Sequence, residues 1–331
     1  MVTPDRIIKT ANAFFESCVL FAASDLGLFG KVAELGKADA ETLASVMALD
    51  KRGTRLILDA CVALDLLEKE EELYRNTPES MAFLVPGSPG DLSSAIRYNR
   101  DIYPLWGRLR ELPKTGKPVE KPEIHLGQDP QRTRTFVLAM HYRALGMGRA
   151  VIPCLDFSKK KRILDIGGGP GTYSVLIAQV YPGMECTVID LPEIVKIADE
   201  LIEKQGMSGR VKTLPGDYHT TPFPGGNDAV NFFGVLHQES PESIRKLLRK
   251  AHACLNPGGT LNIMDIMTDH THTKPTFSAL FALTMALTMN SGWVFSNSEL
   301  KGWVEEAGFT ALSLTALPPP MPHWLATAVK P

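Results

Sequence analysis

The chain has 331 residues, of which 44% are hydrophobic and 22% charged, and its formal net charge is −2. That balance fits a globular protein with ample core material and excludes collagenous, disordered and strongly nucleic-acid-binding classes. Its five cysteines show no metal-ligand or CxxC spacing and read as reduced thiols of a cytoplasmic protein.

The N-terminal stretch is apolar at helical spacing, in Ile7, Ile8, Ala11, Phe14, Phe15 and Cys18, but Glu16 interrupts it. With no small-residue cleavage site, it reads as a helix and not a signal peptide. Short helices follow, one opening at Asp39 or Ala40 and one after Asp50. Next, "LLEKEEELYRNT" reads as a hairpin wing: Leu66 and Leu67, a charged turn, then Leu73 and Tyr74. Helices followed by a wing make a winged-helix pattern. It lacks the concentrated Arg/Lys recognition helix that DNA binding would need. Pro- and Gly-bearing loops at 85–90 and 113–122 precede a helix over 133–155.

From Lys161 strands alternate with helices, which implies a parallel sheet covered on both faces. "RILDIG", "ECTVID", "RVKTLPGD", "DAVNFFGVL" and "GTLNIMDIM" read as strands, and "TALSLTAL" and "HWLATAVK" close the chain. The apolar run Phe277 to Met289 is too short to span a bilayer and reads as a helix lining a pocket.

The loop "ILDIGGGPGTYS" joins the first of these strands to a helix. A dinucleotide fingerprint starting at Gly167 needs Gly or Ala at 172, where Thr172 stands, and no Gly-Lys-Ser/Thr ends the loop. Asp165, two residues ahead of Gly167, would repel a pyrophosphate but attract an ammonium and a sulfonium. A carboxylate could still use the loop N–H groups near the helix N-terminus. Those are the groups of S-adenosylmethionine. Asp190 ends the next strand, where a carboxylate can accept from both ribose hydroxyls, as it would in a dinucleotide enzyme. Asp217 and Tyr218 follow the third strand, suited to an adenine amino group and ring. His237 ends the fourth strand, "FFGVLH".

Taken in order, "FAASDLGLFGKVAE", "LILDACVALDLLEKEEELYRNTPESMAFL", "ILDIGGGPGTYS", "VIDLPEIV", "GDYHTTPFP", "LHQESPE" and "LNPGGTLNIMD" resemble the class I S-adenosylmethionine-dependent O-methyltransferases. The likeness is to the small-molecule group that includes plant caffeic acid, bacterial antibiotic and animal acetylserotonin enzymes. It implies an α/β Rossmann-like seven-stranded sheet with an antiparallel last strand, preceded by a mainly α winged-helix dimerisation domain. The expected division is 1–95 for dimerisation, 96–157 as a helical linker contributing to the acceptor pocket, and 158–331 for cofactor binding.

The resemblance implies cofactor contacts from Asp165, Gly167, Gly168, Gly169, Asp190, Leu191, Asp217 and Tyr218, with Phe233 beside them. His237 falls on the catalytic base and Asp265 on a carboxylate that orients it. An imidazole, with an ordinary pKa of about 6.5, can deprotonate a phenol whose own pKa is about 10. Three positions depart from the family pattern. Gln238 stands where Asp often follows the base, Phe233 where Lys is common, and Phe295 where a second orienting acid is expected.

Candidates for the acceptor pocket are Met140, Met147, Phe281, Met285, Met289, Trp293 and Phe295, with Tyr142 and Phe277; such a lining favours a flat aromatic acceptor. His141 and His219 are secondary candidates. His270 and His272 in "DHTH" read as a polar surface loop, so no metal is expected. The expected assembly is a cytoplasmic homodimer with no nucleic acid or membrane partner. The expected reaction is O-methylation of a small aromatic molecule. The alternatives are recruitment of the cofactor to decarboxylation, hydroxylation, or C- or N-methylation, and a ligand-sensing DNA-binding protein.

Overall fold

In the computed structural model, which describes residues 2–319 and 321–331, the chain divides into two units, Met1–Ile102 and Tyr103–Pro331.

The first unit runs α1 (Asp5–Asn12), α2 (Phe14–Asp25), α3 (Leu28–Leu35), β1 (Ala38–Asp39), α4 (Ala40–Val46) and α5 (Lys51–Ala63), then a hairpin and α6 (Pro78–Phe83). Asp39 and Asp50 cap α4 and α5, accepting from Thr42 N and Gly53 N at 2.7 Å each. The hairpin, β2 (Leu67–Glu70) and β3 (Leu73–Asn76), is the wing read from the sequence, and β3 also pairs with β1 to close a three-stranded sheet. Phe29, Leu43, Leu58, Cys61 and Tyr74 form the core of this unit. By contrast α1 buries nothing, and Ile7, Ile8, Phe14 and Phe15 are exposed. By length and composition alone, Asp5–Asp25 is apolar enough to cross a bilayer.

Helix α7 (Ser93–Gly107) crosses the boundary between the units. Helices α6, α7 and α8 (Leu112–Thr115) lie outside the elements read from the sequence, and α8 runs into the loop at 113–122.

In the second unit α9 (Pro130–Val151) precedes β4 (Arg162–Ile166), α10 (Thr172–Val180), β5 (Glu185–Asp190), α11 (Pro192–Lys204), β6 (Val211–Pro215) and β7 (Asn227–Phe233). Then come α12 (Pro241–Cys254), β8 (Leu255–Ile266), α13 (Thr276–Thr288), α14 (Asn297–Glu306), β9 (Thr310–Ala316) and β10 (His323–Val329). The strand order is β6-β5-β4-β7-β8-β10-β9, parallel from β6 through β8, with β10 antiparallel to both its neighbours. The seven-stranded sheet with an antiparallel last strand is therefore present as expected.

Central strands are apolar on both faces because helices cover both. Ile163, Val188 and Met264 face one layer, and Leu164, Phe232 and Ile263 the other. Helix α11 shows how a covering helix is specified. Ile194, Ile197, Ala198 and Leu201 recur at helical spacing and are buried, with Pro192 at its first position and Glu193 in its first turn. Strand β4 lies between β5 and β7, so successive connections leave it in opposite directions. In open α/β sheets that switch point is where ligands bind, beyond the carboxyl ends of the strands.

The structure divides the chain after Ile102, so residues 103–157 belong to the second unit. Val137 of α9 packs with Ile194, Ile197 and Leu201 of α11, and Gly148 of α9 lies so close to α10 that a methyl group there would come 2.5 Å from Leu176. The strand over "DAVNFFGVL" ends early, at Phe233. Gly234 adopts φ +74, which turns the chain, and His237 sits on the following 3-10 turn, Leu236–Gln238.

Candidate active site

The loop after β4 is shaped by close backbone approach. A methyl group on Gly167 would meet Val235 at 2.9 Å and the Tyr218 ring at 3.5 Å. One on Gly168 would meet the Asp165 carboxyl carbon at 2.8 Å. Asp165 is thus packed beneath the loop and fully buried. Its Oδ2 accepts from Ser174 Oγ at 2.7 Å, while Oδ1 is buried without a partner. Burial pushes its pKa up to about 7; the Ser174 hydroxyl opposes that shift and the nearby Asp190 charge adds to it. At Gly169, by contrast, the space beside the backbone is open.

Asp190 ends β5 with each oxygen on a backbone donor: Gly169 N to Oδ2 and Leu191 N to Oδ1, both 2.7 Å. Burial pushes its pKa up to about 6 against those two bonds. Each carboxylate oxygen keeps a second lone pair, so the pair can still accept from a vicinal diol. Leu191 immediately precedes α11.

Beyond β6, Asp217 organises a turn, its Oδ1 accepting from His219 N at 2.8 Å. Tyr218 donates its hydroxyl to Glu239 Oε1 at 2.7 Å, and burial raises its pKa well above the ordinary value. Lys250 Nζ ties this turn down through the carbonyls of Tyr218, His219 and Thr221.

On the turn after β7, His237 Nδ1 lies 2.6 Å from Asp265 Oδ1. The same Oδ1 accepts from Ile266 N at 2.8 Å, and Oδ2 accepts from His237 N at 3.3 Å. Asp265 is 0% exposed and accepts only, so it fixes the His237 proton on Nδ1 and leaves the Nε2 lone pair available. Phe281 of α13 meets the His237 ring edge-on, with centroids 5.3 Å apart.

The pocket candidates divide. Met140, Met147 and Phe281 are half-buried, whereas Met285 and Met289 are buried around the tight turn at Gly292. Trp293 is a clamp on the turn that carries His237: its N donates to the His237 carbonyl at 2.9 Å and its Nε1 to the Glu239 carbonyl at 2.7 Å. Phe295 is fully buried, packed against Trp303 at 5.7 Å in the apolar core. Phe233 is buried against Tyr173, and Tyr142 and Phe277 are exposed. His141 Nδ1 lies 2.7 Å from Thr172 Oγ1, which ties α9 to the start of α10. His272 stacks on Trp293, and among the described residues no three His, Cys, Asp or Glu side chains are grouped to hold a metal ion.

Sequence reasoning passed over Glu239, which joins Tyr218 to Ser243 and receives the Trp293 indole, and the pair Arg143–His323, with Nη2 3.0 Å from Nε2. These partners are separated by up to 180 positions, so no local pattern marks them.

The glycine loop, the Asp190 carboxylate and the α10 N-terminus suit a cofactor with a ribose and a carboxylate end. The O-methyltransferase domain family matches residues 123–310, and the O-methyltransferase dimerisation domain family matches residues 8–86. The 3-hydroxy-5-methyl-1-naphthoate 3-O-methyltransferase of Streptomyces sahachiroi is 30% identical over 99% of this chain and 95% of its own length. The N,N-dimethyltransferase OxyT of Streptomyces rimosus is 31% identical over 98% of this chain and 96% of its own. Human N-acetylserotonin methyltransferase, solved with S-adenosylmethionine bound, superposes with a TM-score of 0.87 at 28% identity, covering 100% of this chain and 98% of that one.

Proposed function

The chain belongs to the O-methyltransferase family, whose methyl donor is S-adenosylmethionine, and from that premise we propose that it methylates a hydroxyl of a small aromatic acceptor with His237 as general base. The observation that carries this is the 2.6 Å bond between His237 Nδ1 and the fully buried Asp265, which leaves Nε2 as the free base.

When bound, S-adenosylmethionine supplies an electrophilic methyl group on a sulfonium centre. Asp190 would hold its ribose hydroxyls, Asp217 and Tyr218 its adenine, and the 167–169 loop with Asp165 its methionine end. A phenol with a pKa of about 10 is mostly protonated at neutral pH and a poor nucleophile. His237 Nε2 removes that proton as the oxygen attacks, and Asp265 holds the ring and stabilises the imidazolium. Phe281, beside the imidazole, offers an aromatic face for a flat acceptor.

The test is calorimetric titration with S-adenosylhomocysteine, then turnover of a phenol panel by the unaltered protein and by His237→Ala. Binding together with a loss of phenol methylation of a hundredfold or more in the variant is expected. Absence of binding, or unchanged turnover, refutes the reading.

A second reading has one specific support, the whole-length similarity to OxyT. A neutral amine attacks without prior deprotonation, so N-methylation would survive His237→Ala, and amine acceptors belong in the same panel.

The exposed Ile7, Ile8, Phe14 and Phe15 lie in or beside the matched dimerisation segment and would be covered in a homodimer. Light scattering should report a dimer, and Phe14→Asp with Phe15→Asp a monomer. A cytoplasmic site without nucleic-acid or membrane partners completes this reading.

A further inference from the structure

Arg143 on α9 differs from two other arginines of the same helix. Arg132 and Arg134 are each neutralised by a carboxylate, Glu120 and Glu200 respectively, at 2.9 Å. Arg143 is half-buried, and among the described residues no Asp or Glu stands within ion-pair distance of it. Its polar partner among the described residues is His323, with Nη2 3.0 Å from Nε2. A guanidinium only donates, so Nε2 must accept and the imidazole proton must sit on Nδ1. His323 is 5% exposed and its Nδ1 is buried without a partner. Burial, reinforced by the Arg143 charge, pushes its pKa down to about 3, so the ring is neutral and cannot balance the guanidinium.

This pair stands beside the His237–Asp265 dyad. His323 opens β10 directly opposite Ile266, the residue after Asp265, and both dyad residues are close enough to influence it. A partly desolvated cation without a counter-charge is costly, and a bidentate carboxylate is the partner its planar fork fits best.

We propose that Arg143, oriented by His323, receives a carboxylate carried by the methyl acceptor, so that the acceptor class is a hydroxylated aromatic carboxylic acid. This rests on the methyltransferase reading above. The carboxylate anchors the ring at one end while the hydroxyl is offered to His237 Nε2 at the other. It thereby fixes which hydroxyl is methylated.

The shared chemistry, a carboxylate on Arg143, could also come from the methionine end of the cofactor, and the experiment separates the two. The protein saturated with S-adenosylhomocysteine is titrated with 3-hydroxybenzoate and 3-hydroxy-2-naphthoate, and with the corresponding amides. The acids should bind at least tenfold more tightly than the amides. In Arg143→Gln that ratio should fall below threefold with amide affinity unchanged, and Arg143→Lys should lie between. S-adenosylhomocysteine affinity should stay within threefold in both variants. Equal affinity for acids and amides in the unaltered protein overturns the proposal without any variant, as does a preference retained in Arg143→Gln. A tenfold loss of S-adenosylhomocysteine affinity in Arg143→Gln with the acid preference intact assigns Arg143 to the cofactor and overturns it too. If the unaltered protein binds no S-adenosylhomocysteine, the methyltransferase reading itself falls.

Discussion

Asp265→Asn is the sharpest probe of the dyad, because the three bonds at this carboxylate leave an amide no good arrangement. Oδ1 accepts from His237 Nδ1 at 2.6 Å and from Ile266 N at 2.8 Å, and Oδ2 accepts from His237 N at 3.3 Å. An amide offers one accepting oxygen. If that oxygen keeps the Oδ1 position, the NH2 group faces the His237 N–H, donor to donor. If the amide flips, its NH2 group donates to Nδ1, drives the imidazole proton onto Nε2 and also opposes the Ile266 N–H. The first arrangement costs about 1–3 kcal/mol of stability for a buried unpaired donor. The second removes the lone pair that takes the acceptor proton. General-base catalysis is worth about 10²–10⁴ in rate, or about 2.7–5.4 kcal/mol of barrier. Single-turnover methyl transfer to a phenolic acceptor should therefore slow by that factor at pH 7, with S-adenosylhomocysteine affinity unchanged. As pH approaches about 10, the phenol ionises without help and the deficit should shrink. A folded variant within threefold of the unaltered rate at pH 7, or a deficit that does not shrink with pH, would refute the base mechanism.

Other expectations follow from buried groups. Asp190 has its pKa raised to about 6, and in the proposed ribose contact it would accept best when ionised. S-adenosylhomocysteine affinity, measured by calorimetry between pH 4.5 and 8, should fall as pH drops through about 6; a flat profile contradicts this. The raised Asp165 carboxyl, at about 7, interacts with Asp190, so the profile belongs to the pair. For stability the sign is set by the direction of that shift. The folded pKa of Asp165 lies above the unfolded value of about 3.9. The folded state thus holds a proton that the unfolded state has lost, and stability declines as pH rises from about 4 to 7. Thermal unfolding of the cofactor-free protein should show that decline, and Asp165→Asn should make it shallower, leaving the share of Asp190; identical pH dependence in the variant would refute the assignment. Phe295→Ala should lose about 3–5 kcal/mol in urea denaturation. Phe295→Glu should be destabilised further, because its carboxylate would be buried without a partner, and a Phe295→Glu protein of normal stability would mean that the position opens to solvent.

The secondary structure of the second unit was legible because each signal is local. Alternating strands and helices, the glycine-rich turn after β4 and acids at strand ends are properties of short segments, and right-handed crossovers then place the turn at the sheet's switch point. The wing and the Asp39 and Asp50 caps were legible for the same reason. Less legible was anything resting on one residue's φ or on a distant partner. Gly234 stops β7 early and lifts His237 onto a turn, whereas the apolar run through Leu236 reads as continuous strand. Helix α9 is legible as a helix, but its packing against α11 is visible only in the fold.

Phe295 marks the boundary. Its sequence position shows that an expected acid is missing, but only packing against Trp303 shows that the space is filled by core. Asp165 is similar: the sequence places a charge ahead of the glycine loop, and the tertiary structure buries it beneath Gly168 with its pKa raised. Arg143 goes further, because nothing near it in the chain distinguishes it from Arg132 or Arg134. Sequence periodicity and turn chemistry determine which elements form and which strand ends carry acids. Burial, charge balance and hydrogen-bond partnership depend on side chains that meet across as many as 180 positions, and only the folded chain brings those together.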